Sequence, residues 1–236
     1  EPVINNCTEP LNVDSIMQVV NALAPGNHAA KASIDIALHD LYGKLEGKPL
    51  WEIWGIDPEK TPCTSYTIGY DANDSIVLVK VREADWAKIL KVKLGRGEAE
   101  DKRMITLIRS LSDKPIYVDA NQGWPTKEHA LMMCQWLAEQ GVVMIEQPMP
   151  KQMNEEHAWL CERVELPILA DEACQTYDDV ERLAPYYDGI NIKLMKCGGL
   201  AEGRKMITLA RELGMQVMVG CMTETRAGIS AATVLS

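Results

Sequence analysis

The chain has 236 residues, 47% hydrophobic and 25% charged, the make-up of a soluble globular protein with room for one large α/β domain or two small ones. A formal charge of −10 argues against a nucleic-acid partner, which would need Lys and Arg in excess. No apolar run approaches the roughly 20 residues that cross a bilayer, so no membrane span is expected. No signal-peptide pattern opens the chain; it begins at Glu1 rather than Met, so the natural start is expected further upstream.

In chain order, Ile34, Ala37, Leu38, Leu41 and Leu45 fall at helical spacing, and Gly47 and Pro49 end that helix. From Pro62 onward, short branched apolar runs read as buried strands: 64–70, 88–94, 115–120, 142–147, 167–172, 189–194 and 215–220. Between them lie amphipathic helices. Met104, Leu107, Ile108 and Leu111 mark one, and Met206, Leu209, Ala210 and Leu213 another. Asp178 is expected as an N-cap, and Gly141 and Gly214 as the glycines that end helices before the next strand. Strand-helix alternation with short links means parallel strands joined by right-handed crossovers. Residues 1–61 are read as the end of another domain plus a docking helix, and 62–236 as a (β/α)-type barrel domain. Seven strands are visible where a closed (β/α)₈ barrel has eight, so an open, doubly wound sheet competes with a barrel lacking its last strand.

Seven cysteines (Cys7, Cys63, Cys134, Cys161, Cys174, Cys197, Cys221) are scattered, with no C-x-x-C pair. They read as reduced thiols of a cytoplasmic protein. His28, His39, His129 and His157 lie far apart without metal-ligand spacing and read as structural.

The barrel is preferred because of where charges fall. Lys91 and Lys93, Asp119, Glu146, Asp171 and Lys193 each stand near the C-terminal end of a predicted strand. Steps of 26, 27, 25 and 22 residues separate Lys93, Asp119, Glu146, Asp171 and Lys193, each about one strand-helix unit. An ion in a buried strand costs several kcal/mol unless paired or metal-bound. In a barrel these ends converge on one mouth, where active sites are built. Three carboxylates with no Cys or His nearby suit a hard cation, Mg²⁺ or Mn²⁺. Lys91 and Lys93, two apart, share one face of their strand, while Lys193 comes from strand six, so lysines flank a substrate bound between them. Taken singly, a strand-terminal Asp more often caps the next helix and a Lys pair is more often solvated; the ordered set is what carries the reading.

The segments KVK (91–93), VDANQGW (118–124), MIEQP (144–148), ADE (170–172) and NIKLMKCGG (191–199) resemble the signature of the enolase superfamily. More narrowly they resemble its muconate-lactonizing subgroup and the dipeptide epimerases of the L-Ala-D/L-Glu type, with the likeness running from about Ala29 to the end. The resemblance implies Asp119, Glu146 and Asp171 as ligands of Mg²⁺, with Mn²⁺ as a substitute. It implies Lys93 and Lys193 as the two acid/base catalysts and Lys91 as a helper near the substrate carboxylate. This pairing of a Lys or His base with Mg²⁺ is general to that superfamily. GCMTET (220–225) is similar to substrate-contacting segments of the epimerases, which points to Cys221, Met222 and Thr223; Thr67, at the end of strand one, is a weaker candidate. The mandelate-racemase subgroup would carry a histidine near the end of strand seven, and VGCMTET (219–225) has none.

The resemblance also implies an N-terminal α+β capping domain, present here only as its tail, and an eighth strand with an Asp-x-Asp motif. The sequence is therefore expected to continue on both sides. The activity implied is 1,1-proton transfer alpha to a carboxylate, most naturally on dipeptides such as L-Ala-Glu, or on N-acylamino acids. A cycloisomerase or o-succinylbenzoate synthase on the same scaffold is the nearest rival. A catalytically inactive barrel subunit is the rival of another class, but it would be expected to have lost a ligand or a lysine, and all six residues are present. A homo-oligomer is compatible with everything above.

Overall fold

The computed structural model describes residues 12–236; Cys7 lies outside them. In chain order the first elements are α1 (Val13–Leu23), α2 (His28–Glu46), α3 (Leu50–Ile53), β1 (Ser65–Ile68), α4 (Asp74–Glu83), β2 (Ile89–Lys93), α5 (Glu98–Arg109), β3 (Ile116–Asp119), α6 (Lys127–Glu139) and β4 (Val142–Glu146). There follow α7 (Asn154–Cys161), β5 (Ile168–Ala170), α8 (Tyr177–Leu183), β6 (Gly189–Lys193), α9 (Leu194–Cys197), α10 (Leu200–Glu212), β7 (Gln216–Gly220) and α11 (Arg226–Leu235). Cys63–Cys174 with Arg182–Ile190 form one compact unit; Gln175–Glu181, Asn191–Ser236 and the described residues up to Pro62 form the other.

All seven expected strands are present within a residue or two of their expected limits. Their order in the sheet is the order of the chain, β1 to β7. A doubly wound sheet reverses its strand order at a switch point; this one does not, so the open-sheet alternative falls and the fold is a partial (β/α) barrel. Every pairing from β1–β2 to β5–β6 is parallel. The β3–β4 register slips between Ile116 and Tyr117, whose partners are Val142 and Met144. The extra residue, Val143, is turned outward and is 43% exposed in an otherwise buried strand. The slip restores the register in which Asp119 stands beside Glu146.

Helix faces differ from the expectation in instructive ways. In α5 the buried face is Asp101, Met104, Ile105 and Ile108, while Leu111 lies past the helix end and is exposed. In α10 it is Leu200, Gly203, Met206, Ile207 and Ala210, with Leu213 exposed at the C-cap. Gly141 and Gly214 follow helix ends with φ of +72° and +74°, as expected of αL glycines. Asp178 is not a cap: it lies inside the first turn of α8, and the Asp179 carboxylate accepts the N–H groups of Gln175 and Thr176 at 2.8 and 2.9 Å.

The largest departure is α2. Leu41 and Leu45 are exposed, and the buried face is Lys31, Ala32, Asp35, Leu38 and His39. Each polar member has a partner there. Lys31 donates to the Asn21 carbonyl at 3.3 Å, His39 meets the Asp35 carbonyl at 2.9 Å, and Asp35 accepts the Leu200 N–H at the start of α10. Gly199, with φ +133°, makes room for that cap: a Cβ there would lie 2.3 Å from the Asp35 carboxylate. The apolar half of the interface is Val13, Ile16, Met17, Val20 and Leu38.

His157, expected to be structural, is fully buried, its Nδ1 at 2.6 Å from the Met153 carbonyl and its ring 4.5 Å from that of Tyr187. Burial depresses its pKa from the usual 6.5 to about 4. The unfolded chain then binds the extra proton between about pH 4 and 6.5 and the folded one does not. This contribution is complete above pH 6.5 and is lost as the pH falls through that window, by about 3 kcal/mol at most. Urea midpoints at pH 7 and pH 5 should differ less in His157→Phe than in the parent; an equal difference would remove His157 as the cause.

Candidate metal and acid–base site

Parallel register builds the site. Lys93, Asp119 and Glu146 are neighbours across β2, β3 and β4. Glu146 pairs in turn with Leu169, two residues before Asp171. Because side chains alternate along a strand, Asp171 emerges on the face of Glu146. Lys91, two residues before Lys93, shares the face and pairs with Thr67 of β1. Thr67, Lys91, Lys93, Asp119, Glu146 and Asp171 therefore share one face of one unit.

The three carboxylates are buried, and one oxygen from each lies within 4.8 Å of the others. That is an oxygen-only donor set of the kind a hard divalent cation takes. Lys93 Nζ stands 2.6 Å from Asp119 Oδ2. Lys91 Nζ is 3.2 Å from the same oxygen and hydrogen-bonds Glu146. Burial pushes the Glu146 carboxyl up to about 7; Lys91 opposes this, and the negative charges of Asp119 and Asp171 add to it. Burial pulls the Lys91 ammonium down, but Glu146 and Asp119 outweigh it and its pKa is raised. Lys91 and Lys93 supply positive charge to this buried cluster, and a divalent cation would add to it.

The loops after the strands are held by residues that the sequence did not single out. Asp119 Oδ1 accepts the Asn121 N–H at 3.1 Å. Asp101, on α5, is 1% exposed and satisfies three donors: the N–H groups of Gly95 and Arg96 at 3.0 Å each and Trp124 Nε1 at 3.1 Å. It ties the loop after Lys93 to the loop after Asp119. The two loops touch backbone to backbone at Gly95 and Gly123, where a Cβ on Gly123 would lie 2.4 Å from the Gly95 carbonyl oxygen. Asp101→Asn replaces an acceptor by an NH₂ group facing buried N–H donors. It is expected to cost about 2–4 kcal/mol, read as a lower urea midpoint; a shift under about 0.5 kcal/mol would show that the clamp is dispensable.

Lys193 ends β6 in the other unit and is 8% exposed. Cys221, Met222 and Thr223 follow β7, also in that unit, and are exposed. Thr67 is exposed as well. Gln147 is fully buried beside Glu146 with φ +38°. Its one visible signal is a neutral amide placed directly after the strand-end Glu146, in MIEQP.

Residues 77–236 match the enolase C-terminal domain-like family, and residues 4–55 match the mandelate racemase / muconate lactonizing enzyme N-terminal domain. An L-Ala-D/L-Glu epimerase of Bacteroides thetaiotaomicron is 54% identical over 230 residues, 97% of this chain and 59% of that protein. Among solved structures, a dipeptide epimerase from Enterococcus faecalis, complexed with Mg and the dipeptide L-Leu-L-Tyr, superposes with a TM-score of 0.90 at 34% identity, covering 97% of this chain and 66% of that one. Muconate cycloisomerase from Pseudomonas fluorescens superposes with a TM-score of 0.88 at 26% identity, covering 97% and 65%. The chain thus spans about three-fifths of the length of its Bacteroides relative. Its strand order and its two family matches make the chain a member of the enolase superfamily, of the mandelate racemase / muconate lactonizing type.

Proposed function

We propose that the protein is a metal-dependent dipeptide epimerase that inverts the α-carbon next to a carboxylate by two-base 1,1-proton transfer. The observation that carries this reading is the buried Asp119–Glu146–Asp171 cluster with Lys91 and Lys93 on the same face. The epimerase names borne by relatives up to 54% identical support the same chemistry over ring closure or elimination.

Asp119, Glu146 and Asp171 would hold Mg²⁺, or Mn²⁺ in its place. The ion supplies electrostatic stabilisation of the charge that builds on the substrate carboxylate when the α-proton leaves. Lys93 takes or returns that proton on one side and Lys193 on the other. A neutral lysine accepts and an ammonium donates, so one of each is needed at the start of a turnover. Lys91, bound to Asp119 and Glu146, stays cationic, holds the substrate carboxylate end and takes no proton. Cys221, Met222, Thr223 and Thr67 are assigned to substrate contact. The dipeptide assignment, L-Ala-Glu first, rests on the relatives.

In the same reading, residues 1–61 belong to the tail of a capping domain and 62–236 to the barrel. A cytoplasmic location is supported by free thiols: among the described residues Cys63, Cys134, Cys161, Cys174, Cys197 and Cys221 are all unbridged. No described helix is long and apolar enough to cross a membrane.

Proton NMR of L-Ala-L-Glu in deuterium oxide with the intact protein and Mg²⁺ tests the function. Loss of the C-terminal α-proton signal with growth of the L,D isomer is expected. Water loss or ring closure would transfer the case to the lyase reading.

A further inference from the structure

We infer that Gln147 is the positioning residue that sets the spacing of the three carboxylates, and through it their affinity for a divalent cation; this rests on the cation reading above. Gln147 follows Glu146 directly, so it stands between the strand ends carrying the other two carboxylates: Asp119 closes β3 and Asp171 follows β5. Its backbone reaches both sides: the N–H donates to Leu169 O at 2.8 Å, and the carbonyl accepts the Gln122 N–H at 2.8 Å. Its side chain then takes hold of the Asp171 loop. Oε1 accepts the N–H of Asp171 at 3.0 Å and of Ala173 at 3.1 Å. Nε2 donates to Met149 O at 3.2 Å and to the Tyr187 hydroxyl at 3.0 Å. Two acceptor positions and two donors are all a primary amide has, and every one is used in a site that water does not reach.

Three features make this more than a well-satisfied core glutamine. The first is that one amide oxygen fixes the backbone of Asp171 itself, not of a residue merely nearby. The second is the backbone of Gln147: a φ of +38° is uncommon for any residue but glycine and is held only where surrounding contacts demand it. The third is the outer support. Tyr187 is buried, lies against the His157 ring, and keeps Nε2 and therefore Oε1 from rotating. The groups that orient metal ligands are typically worth a factor of ten to a hundred in affinity.

The experiment is calorimetric titration with Mg²⁺ and with Mn²⁺ of the intact parent, Gln147→Met, Gln147→Glu and Tyr187→Phe, beside hydrogen exchange of the 171–173 backbone amides. Gln147→Met keeps the length and apolar bulk but offers no oxygen, so a roughly 10–100-fold weaker Kd and faster exchange at 171–173 are expected. Gln147→Glu restores the acceptor for both N–H groups and should recover most of the affinity. Tyr187→Phe leaves the amide in place with one partner fewer, and a loss of only a few-fold is expected. Parental affinity in a folded Gln147→Met overturns the inference alone, as does faster exchange without weaker binding. If Gln147→Met does not fold, unchanged affinity in Tyr187→Phe together with no recovery in Gln147→Glu overturns it. A parent that binds neither ion overturns the cation reading, and this inference with it.

Discussion

Replacing Asp171 by Asn is expected to weaken Mg²⁺ binding by about 100-fold or more, since taking the charge from a direct ligand should exceed the tenfold to hundredfold cost of losing a residue behind one. The substitution keeps shape and one oxygen and removes only charge. That matters because the cluster is dry and acidic: burial has already raised Glu146 to about 7, with Asp171 adding to the rise. A divalent ion would offset the negative charge that these carboxylates gather in one buried place, beyond what Lys91 and Lys93 supply. In the parent, Mg²⁺ at a hundred times its Kd should add about 2.7 kcal/mol of stability. In Asp171→Asn the same concentration should add almost none. Titration with Mg²⁺ and Mn²⁺, followed by urea melts with and without ion, reads both effects. Parental binding by the variant would show that the three carboxylates are not a metal site.

Why these residues were legible in the sequence, and others were not, follows from what burial costs. An ionisable group at the end of an apolar strand is conspicuous because it is expensive there. Lys91, Lys93, Asp119, Glu146 and Asp171 stood out for that reason, and the regular spacing said that their strands were neighbours. Gln147 carries no charge and passed as ordinary. Asp101 sits in EAED, which reads as a solvated helix start, yet its carboxylate is the buried anchor of two loops. Hydrophobic periodicity misplaces the buried face of α2 because it assumes that polar residues look outward, whereas Lys31, Asp35 and His39 look inward to named partners. The contact of Gly95 with Gly123 joins loops 28 positions apart, which no local pattern announces. Sequence order also left the doubly wound sheet open; only strand adjacency decides it.

Lys93→Ala and Lys193→Ala are each expected to abolish inversion while sparing proton exchange from one stereoisomer, and the spared isomer should differ between the two variants. A single base removes an α-proton from one side only. Without its partner it can still abstract from the isomer it faces, trade that proton with solvent and return deuterium to the same side. The opposite isomer presents its proton to an alanine and should exchange roughly a hundred- to ten-thousand-fold more slowly, the usual worth of a positioned acid or base. Lys93→Ala also removes a 2.6 Å partner of Asp119. Its metal affinity must therefore be measured alongside, so that a lost ion is not mistaken for a lost base. Lys91→Ala should slow both isomers together, since its contacts are with Asp119 and Glu146 and it sits on neither side of the reacting carbon in this reading. The measurement is proton NMR in deuterium oxide on L-Ala-L-Glu and L-Ala-D-Glu with the intact protein at saturating Mg²⁺. Equal loss of exchange from both isomers in both Lys93→Ala and Lys193→Ala would leave the two-base assignment without support. Complementary losses would place one lysine on each side of the substrate.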